Sequence, residues 1–335
     1  TNGTSSNGIN INSQSNSNTV NNNTITTSLN TSYGVYINTN SDLNSVTNNT
    51  ITTNSSNSEG IYINTNSDQN TVANNSITTN ETVSYGIRVD NSNANQILEN
   101  TVVTFGSSSS GLYSGEGGAN STWNDNIVNT TGSNSDGVQM RESSSSNNTF
   151  ERNIFTISQS RGIYLLNNTN NVVDNNTIIV SGSNNAVMLD QDNSQQNIIS
   201  NNTIINNGSQ NGIDFANNAP FNNTIIKNII NVTGDNGRGI STTTGTANIL
   251  QENTILIGGT NADAINFDGG DNYTIIDNII TISTASNNGI VFNTATGHNV
   301  TNNTITALLG SINGISLTSP AADITLQENT ITITG

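Results

Sequence analysis

Every 24 to 27 residues, most often every 25 or 26, the chain returns to a Gly or Ala followed by an aliphatic residue. The markers start at Gly8, Gly34, Gly60 and Gly86 and run to Gly289 and Gly314, with Ala186 and Ala264 in equivalent places. All thirteen residues after the marker are aliphatic, from Ile9 and Val35 to Ile290 and Ile315. Two positions further on, eleven of thirteen are apolar, with Ser114 and Thr242 the exceptions. Apolar residues alternating with polar ones predict a strand with one buried face. A fixed period of this length predicts a solenoid in which each repeat covers its neighbour's core.

A second column is stricter. Asn23, Asn49, Asn75, Asn100, Asn126, Asn153, Asn176, Asn202, Asn228, Asn253, Asn278, Asn303 and Asn329 occur once per repeat. Five residues earlier another Asn recurs, as at Asn18, Asn44, Asn70 and Asn95. Asn tolerates the left-handed backbone and bonds to its own turn, so it suits a bend between strands. Stacked at a strand spacing of about 4.8 Å, identical amides satisfy one another between coils. Two Asn columns predict two corners of a coil with three strands, and thirteen coils would form a rod of about 60 Å.

The Gly-Ile-Tyr-Ile-Asn and Asn-Asn-Thr-Ile-Thr units resemble the parallel β-helix repeats of the pectin-lyase-like superfamily. The Asn/Thr saturation is similar to that of the Asn/Thr-rich adhesin-like surface proteins of methanogenic archaea. The resemblance covers nearly the whole chain. It implies an all-β, single-stranded, right-handed parallel β-helix spanning residues 1–335 as one domain.

Composition changes the picture in three ways. Apolar residues make up 31% and charged residues 9%, a balance that would suggest disorder if the order of residues were ignored. The formal net charge is −17, and the six bases are scattered, so no stripe can neutralise phosphates. Nucleic acid is excluded as a partner on this ground, and no run of apolar residues is long enough for membrane insertion. There is no Cys, so disulfides and thiolate metal sites are absent. The start at Thr1 reads as a processed or excised product.

The pattern breaks most between Phe105 and Trp123, a Gly/Ser-dense stretch holding the only Trp. It is expected to be an irregular loop, either a sugar-binding loop or a longer mobile turn. At the other end the repeat is still running at Ile331-Thr-Ile-Thr without a divergent cap. That favours head-to-tail homopolymer assembly or a longer parent chain.

Candidate chemistry is sparse. Outward positions carry Asp90, Asp190, Asp214 and Asp268, with Asp192 and Asp271 close by. Asp190 and Asp214 fall in adjacent coils, near enough for paired acid/base work. Polygalacturonase-like enzymes, as the resemblance implies, would need Asn-Thr-Asp, Asp-Asp, Gly-His-Gly and Arg-Ile-Lys elements, and none occurs. Lyases and epimerases would need a base facing a cationic clamp. Arg141 and Arg161 lie one coil apart, without a Lys or Tyr of matching spacing. No catalytic residue is assigned, and His298, in the place of a ladder Asn, is expected to be structural.

Calcium could be held by the Asn-Thr-Asn-Ser-Asp turns at Asp42 and Asp68, or by Asp268-Gly-Gly-Asp271, through carboxylate and carbonyl oxygens. Ordinary turns explain the same residues. Tyr36, Tyr62, Tyr113 and Tyr164 share one outward column and are candidates for stacking on glycan rings. Sequons recur, and Asn22, Asn48, Asn74, Asn175, Asn201 and Asn302 immediately precede ladder residues, where a side chain should face solvent. These six are candidate N-glycosylation sites. Outward Thr-x-Thr pairs such as Thr50/Thr52 fail as a regular row in mid-chain, which argues against ice binding.

The expectation is a non-enzymatic structural protein at the cell surface or outside the cell: a stalk, adhesin segment or filament subunit, N-glycosylated. The alternative is a carbohydrate-binding or polysaccharide-modifying β-helix.

Overall fold

A computed structural model describes residues 6–191, 193–217, 220–309, 312–318 and 321–334. Asp192, one of the acids named above, lies outside the described residues. All regular elements among them are short β-strands in three parallel sheets, here called A, B and C. The chain resolves into two compact units, residues 1–164 and 165–335, where the repeat alone suggested one domain.

In the first unit, sheet A runs from Ile9–Ile11 to Val138–Arg141, sheet B from Thr19–Asn21 to Thr149–Glu151, and sheet C from Thr24–Thr27 to Ile154–Ile157. In the second, sheet A runs from Val187–Asp190 to Ile315–Leu317, sheet B from Val172–Asp174 to Thr325–Gln327, and sheet C from Thr177–Val180 to Thr330–Ile333. Each strand pairs with the equivalent strand one coil away, as in Val35↔Ile61 and Ile37↔Ile63. The core is a set of stacked aliphatic columns: Val35, Ile37, Ile61, Ile63, Val46, Val72 and Ile77 are all 0% exposed.

At Gly34 close approach requires glycine. A Cβ on Gly34 would lie 2.3 Å from Ile51 Cγ2 and 2.5 Å from the Gly60 carbonyl oxygen. Only a hydrogen fits there without moving the next coil.

The corners differ in one respect from the sequence expectation. The left-handed residue is the one before the ladder Asn, not the ladder Asn itself. Asn22, Asn48 and Asn74 have φ of 59°, 56° and 56°, and Glu99, Asp125 and Arg152 hold the same place at 55°, 59° and 56°. The ladder Asn then turns inward, where its amide spans the coil boundary. Main-chain N–H groups of Asn49, Asn75 and Asn100 donate to the side-chain oxygen of the next ladder Asn at 2.9–3.0 Å. In the second unit the chain of bonds runs from Asn176 through Asn202, Asn228, Asn253, Asn278 and Asn303 to Asn329. A serine ladder adds a further column: Ser32, Ser58, Ser84 and Ser109 each donate a main-chain N–H to the hydroxyl one coil on.

The Phe105–Trp123 stretch is more regular than its composition suggests. It contains the strand Leu112–Gly115 and leads into Thr122–Asn124. Trp123 pairs with Ile97 and Phe150 in register, is 0% exposed and stacks on Phe150 at 5.6 Å. It fills the column held elsewhere by Val20, Val46 and Val72 and is not a sugar-binding side chain. Ser109 belongs to the serine ladder, so the Gly/Ser run is a stacked corner.

Candidate functional site

The outer face of sheet A in the first unit gathers the tyrosines of that unit and three of its four arginines. Register places Tyr36, Tyr62, Arg88, Tyr113 and Gln139 in one column across five coils. The residue before each marker adds a second column, Tyr33, Glu59, Tyr85, Ser110, Asp136 and Arg161, on the same side. Sequence reasoning missed this second column because its residue type changes at every coil. The signal was the marker itself: its preceding residue is polar or aromatic in every repeat.

Arg88 organises the centre. Its Nε donates to Asp90 Oδ2 at 2.6 Å and its Nη1 to Glu59 Oε1 at 3.1 Å. The guanidinium carbon lies 4.8, 5.5 and 5.2 Å from the ring centres of Tyr62, Tyr85 and Tyr113, within cation–π range. Tyr62 also donates its hydroxyl to Asp90 at 3.0 Å. Glu59 and Asp90 are 3% and 1% exposed, and burial pushes both carboxyls above the ordinary range despite the Arg88 charge.

This packing corrects the aromatic expectation. Tyr62, Tyr113 and Tyr164 point outward from the sheet but are 8%, 9% and 7% exposed. Arg88 covers the first two, and the Arg161 guanidinium sits 3.6 Å over the Tyr164 ring. Tyr36 is half-buried and stacks on Tyr62 at 5.4 Å, with Tyr33 at 5.0 Å. Tyr33 and Tyr36 therefore form the accessible aromatic edge. Burial pushes the Tyr33 and Tyr113 phenols up to about 12.

Beyond this cluster opens a cleft of about 250 Å³ lined by Tyr85, Ser108, Asn134, Gln139, Arg141 and Arg161. It brings Arg141 and Arg161 together and supplies the tyrosine that spacing had not revealed, Tyr85. Arg161 is braced: its Nε and Nη2 donate to the two oxygens of Asp136 at 3.0 Å each. Arg141 is exposed and, among the described residues, is the one basic side chain with no acidic partner. Arg88, Arg152, Arg161, Lys227 and Arg238 all have one. Burial raises the Tyr85 phenol, so it is a neutral hydrogen-bonding group at neutral pH.

The other candidate acids are less available. Asp190 pairs in register with Ala216 and Asp214 with Met188, so the two acids are offset along adjacent strands. Asp214 accepts from Asn185 at 2.9 Å and Asn211 at 3.1 Å. Burial raises its carboxyl to about 6 in spite of those bonds. Asp268 accepts from Arg238 at 2.7 Å and from Asn293 at 2.6 Å, and Asp271 accepts from Thr296 at 2.6 Å. Asp42 and Asp68 stack, with the Asp68 N–H donating to Asp42 at 2.8 Å. Bonds between coils thus occupy both oxygens of Asp268 and one oxygen each of Asp42 and Asp271. Among the described residues, no three of His, Cys, Asp and Glu converge on a metal position.

His298 is 1% exposed in an aromatic core with Phe267, Phe292 and Tyr273, and accepts the Tyr273 N–H at Nδ1. The sequon residues Asn22, Asn48, Asn74, Asn175, Asn201 and Asn302 are all exposed at left-handed corners.

Three stacked parallel sheets and inward Asn ladders define the class of fold, a right-handed β-helix; residues 103–255 match the model described as "Right handed beta helix region". Residues 1–128 match a second model, "Periplasmic copper-binding protein (NosD)". Among solved structures, the chain is similar to the A-module of the Azotobacter vinelandii mannuronan C-5 epimerase AlgE6, with 12% identity, 92% of this chain and 88% of that one covered, and a TM-score of 0.62. It is also similar to the periplasmic alginate epimerase AlgG, with 10% identity, 89% and 76% covered, and a TM-score of 0.51. At such identities these structures establish the fold alone. No curated protein is matched by sequence.

Copper does not transfer from the second match. Copper sites draw on imidazole, thiolate and thioether ligands. Residues 1–128 hold no His, Cys or Met, since Met140, Met188 and His298 all lie beyond them.

Proposed function

We propose that this protein is a non-enzymatic, glycan-binding β-helix of adhesin type that works outside the cytoplasm. The observation carrying the proposal is the cleft on sheet A, where an unpaired guanidinium, the Gln139 and Asn134 amides and the Tyr85 phenol converge, with the Tyr33/Tyr36 aromatic edge further along the same face. Sugars are bound by this combination of planar polar groups and ring faces. The two structural neighbours are named as epimerases of polysaccharides, which supports a carbohydrate ligand for the fold.

Binding is favoured over bond-making by the ionisation of the groups present. Tyr85 has a raised pKa and is a poor base at neutral pH. Asp136, Glu59 and Asp90 are buried against arginines. The ladders supply a rigid scaffold, as a surface stalk needs, and the exposure of the corner sequons supports N-glycosylation there.

The test is a glycan array probed with the full chain and with Tyr85→Ala/Gln139→Ala. Retention of a defined glycan set by the parent, lost in the double variant, is the expected result. Equal retention by both would remove the cleft from the binding site, and new reducing ends from a retained glycan would make the protein an enzyme.

A further inference from the structure

Residues 1–164 contain eleven acids and four arginines. Three of those arginines, Arg88, Arg152 and Arg161, have their charge met by Glu59, Asp90, Asp125, Glu151 and Asp136. Arg141 is left, exposed and lining the cleft. A guanidinium kept free in so acidic a surface is a planar, two-pronged anion receptor. The same surface forbids a second anion nearby. Glu142 is exposed just past the end of the strand that carries Arg141, Glu116 is exposed on the strand-end turn one coil away, and the whole unit is net negative.

We infer that the ligand of this face is a mostly neutral glycan bearing one acidic sugar, whose carboxylate or sulfate is gripped by Arg141. The inference rests on the glycan-binding reading above and gives it a chemical class. Arg161, braced by Asp136 and stacked on Tyr164, adds hydrogen-bond donors without adding net charge. The neutral part of the ligand lies toward the Tyr33/Tyr36 edge. Tyr36 is four coil steps from Gln139, about 19 Å at the spacing of paired strands, so several sugars fit between the edge and the anion site. A polymer charged at every sugar would place carboxylates along this whole span, where Arg141 is the one free cation.

The experiment is calorimetric titration of the full chain with four probes: an oligosaccharide of neutral sugars ending in one glucuronate, its carboxyl-reduced counterpart, its sulfate-ester analogue, and a tetramannuronate. The single-acid probes should bind at least about tenfold more tightly than the reduced counterpart. Arg141→Gln should erase that difference, so that the single-acid probes and the reduced counterpart bind the variant equally. Because Arg141 is exposed and unpaired, this variant should melt like the parent. Tetramannuronate should bind more weakly than the single-acid probes, and improve as salt rises from about 20 to about 200 mM and screens the repulsion.

Equal affinity for the acidic and reduced probes, or an Arg141→Gln variant that still discriminates, would overturn the inference and leave glycan binding intact. Tightest binding of tetramannuronate would also overturn it. Failure of every probe would overturn the glycan-binding reading as well. Carboxylate and sulfate probes compete for the same guanidinium, and the tighter of the two identifies the source of the anion.

Discussion

Asn49 gives both its main-chain N–H and its side-chain Nδ2 to one oxygen, Asn75 Oδ1, at 2.9 and 3.0 Å. Asn75 repeats the arrangement on Asn100 and also returns its Nδ2 to the Val46 carbonyl at 2.8 Å. Each ladder Asn thus ties together three coils. Replacing Asn75 by Ala leaves the Asn49 main-chain N–H buried without its acceptor and removes one bond each from Asn49 Nδ2, which keeps the Val20 carbonyl at 2.9 Å, and from the Val46 carbonyl. At about 1–3 kcal/mol for an orphaned group, the loss should be at least about 1 kcal/mol. A urea midpoint essentially equal to the parent's would refute the ladder as a source of stability.

The corner residues make the opposite prediction. Glu99 sits at φ 55° and is exposed, where neighbouring repeats use Asn48 and Asn74. A left-handed backbone costs a branched or long side chain about 1 kcal/mol relative to Gly or Asn. Glu99→Asn should therefore raise stability by about 0.5–1 kcal/mol, read as a higher urea midpoint with unchanged slope. A fall in midpoint would show that Glu99 makes a contact worth more than the strain.

What could be read from the chain was what repeats. The marker glycines and both Asn columns announce themselves because the same residue serves the same purpose in each coil. The cleft did not, because Tyr85, Gln139, Arg141 and Arg161 come from three different coils and from columns of changing residue type. Trp123 was misread for a related reason. Its Gly/Ser surroundings look like a loop, while its inward position follows only from register with Ile97 and Phe150. The burial of Tyr62 and Tyr113 was likewise invisible, since the cover is one arginine two repeats or fewer away, Arg88.

Arg88 is the sole cation between two buried acids, so Arg88→Met should be severe. Removing one partner of a buried ionic network typically costs about 3–5 kcal/mol. In the parent, Glu59 and Asp90 are already raised by burial, so the folded state holds protons more tightly than the unfolded chain. Stability from these groups is present below the unfolded carboxyl pKa and is lost as pH rises through the folded values. Without Arg88 that loss should steepen. Adding Glu59→Gln and Asp90→Asn should restore much of the stability at neutral pH. If the single variant matches the parent at neutral pH, the cluster is solvated and the buried-charge account is wrong.

His298 gives the opposite slope. Burial in the Phe267/Phe292/Tyr273 pocket lowers its pKa from 6.5 to about 4, and its Nδ1 must stay unprotonated to accept the Tyr273 N–H. Between those two values the unfolded chain binds the proton that the folded protein refuses. Stability from this group is therefore complete above about pH 6.5 and is lost as pH falls toward 4, by about 2–3 kcal/mol in all. His298→Asn returns the ladder residue used at Asn248 and removes the titrating group. Thermal unfolding followed from pH 7 down to pH 4 should fall less steeply in the variant than in the parent. Parallel curves would mean that His298 is protonated in the native state without penalty, and that the acid sensitivity belongs to the carboxylates instead.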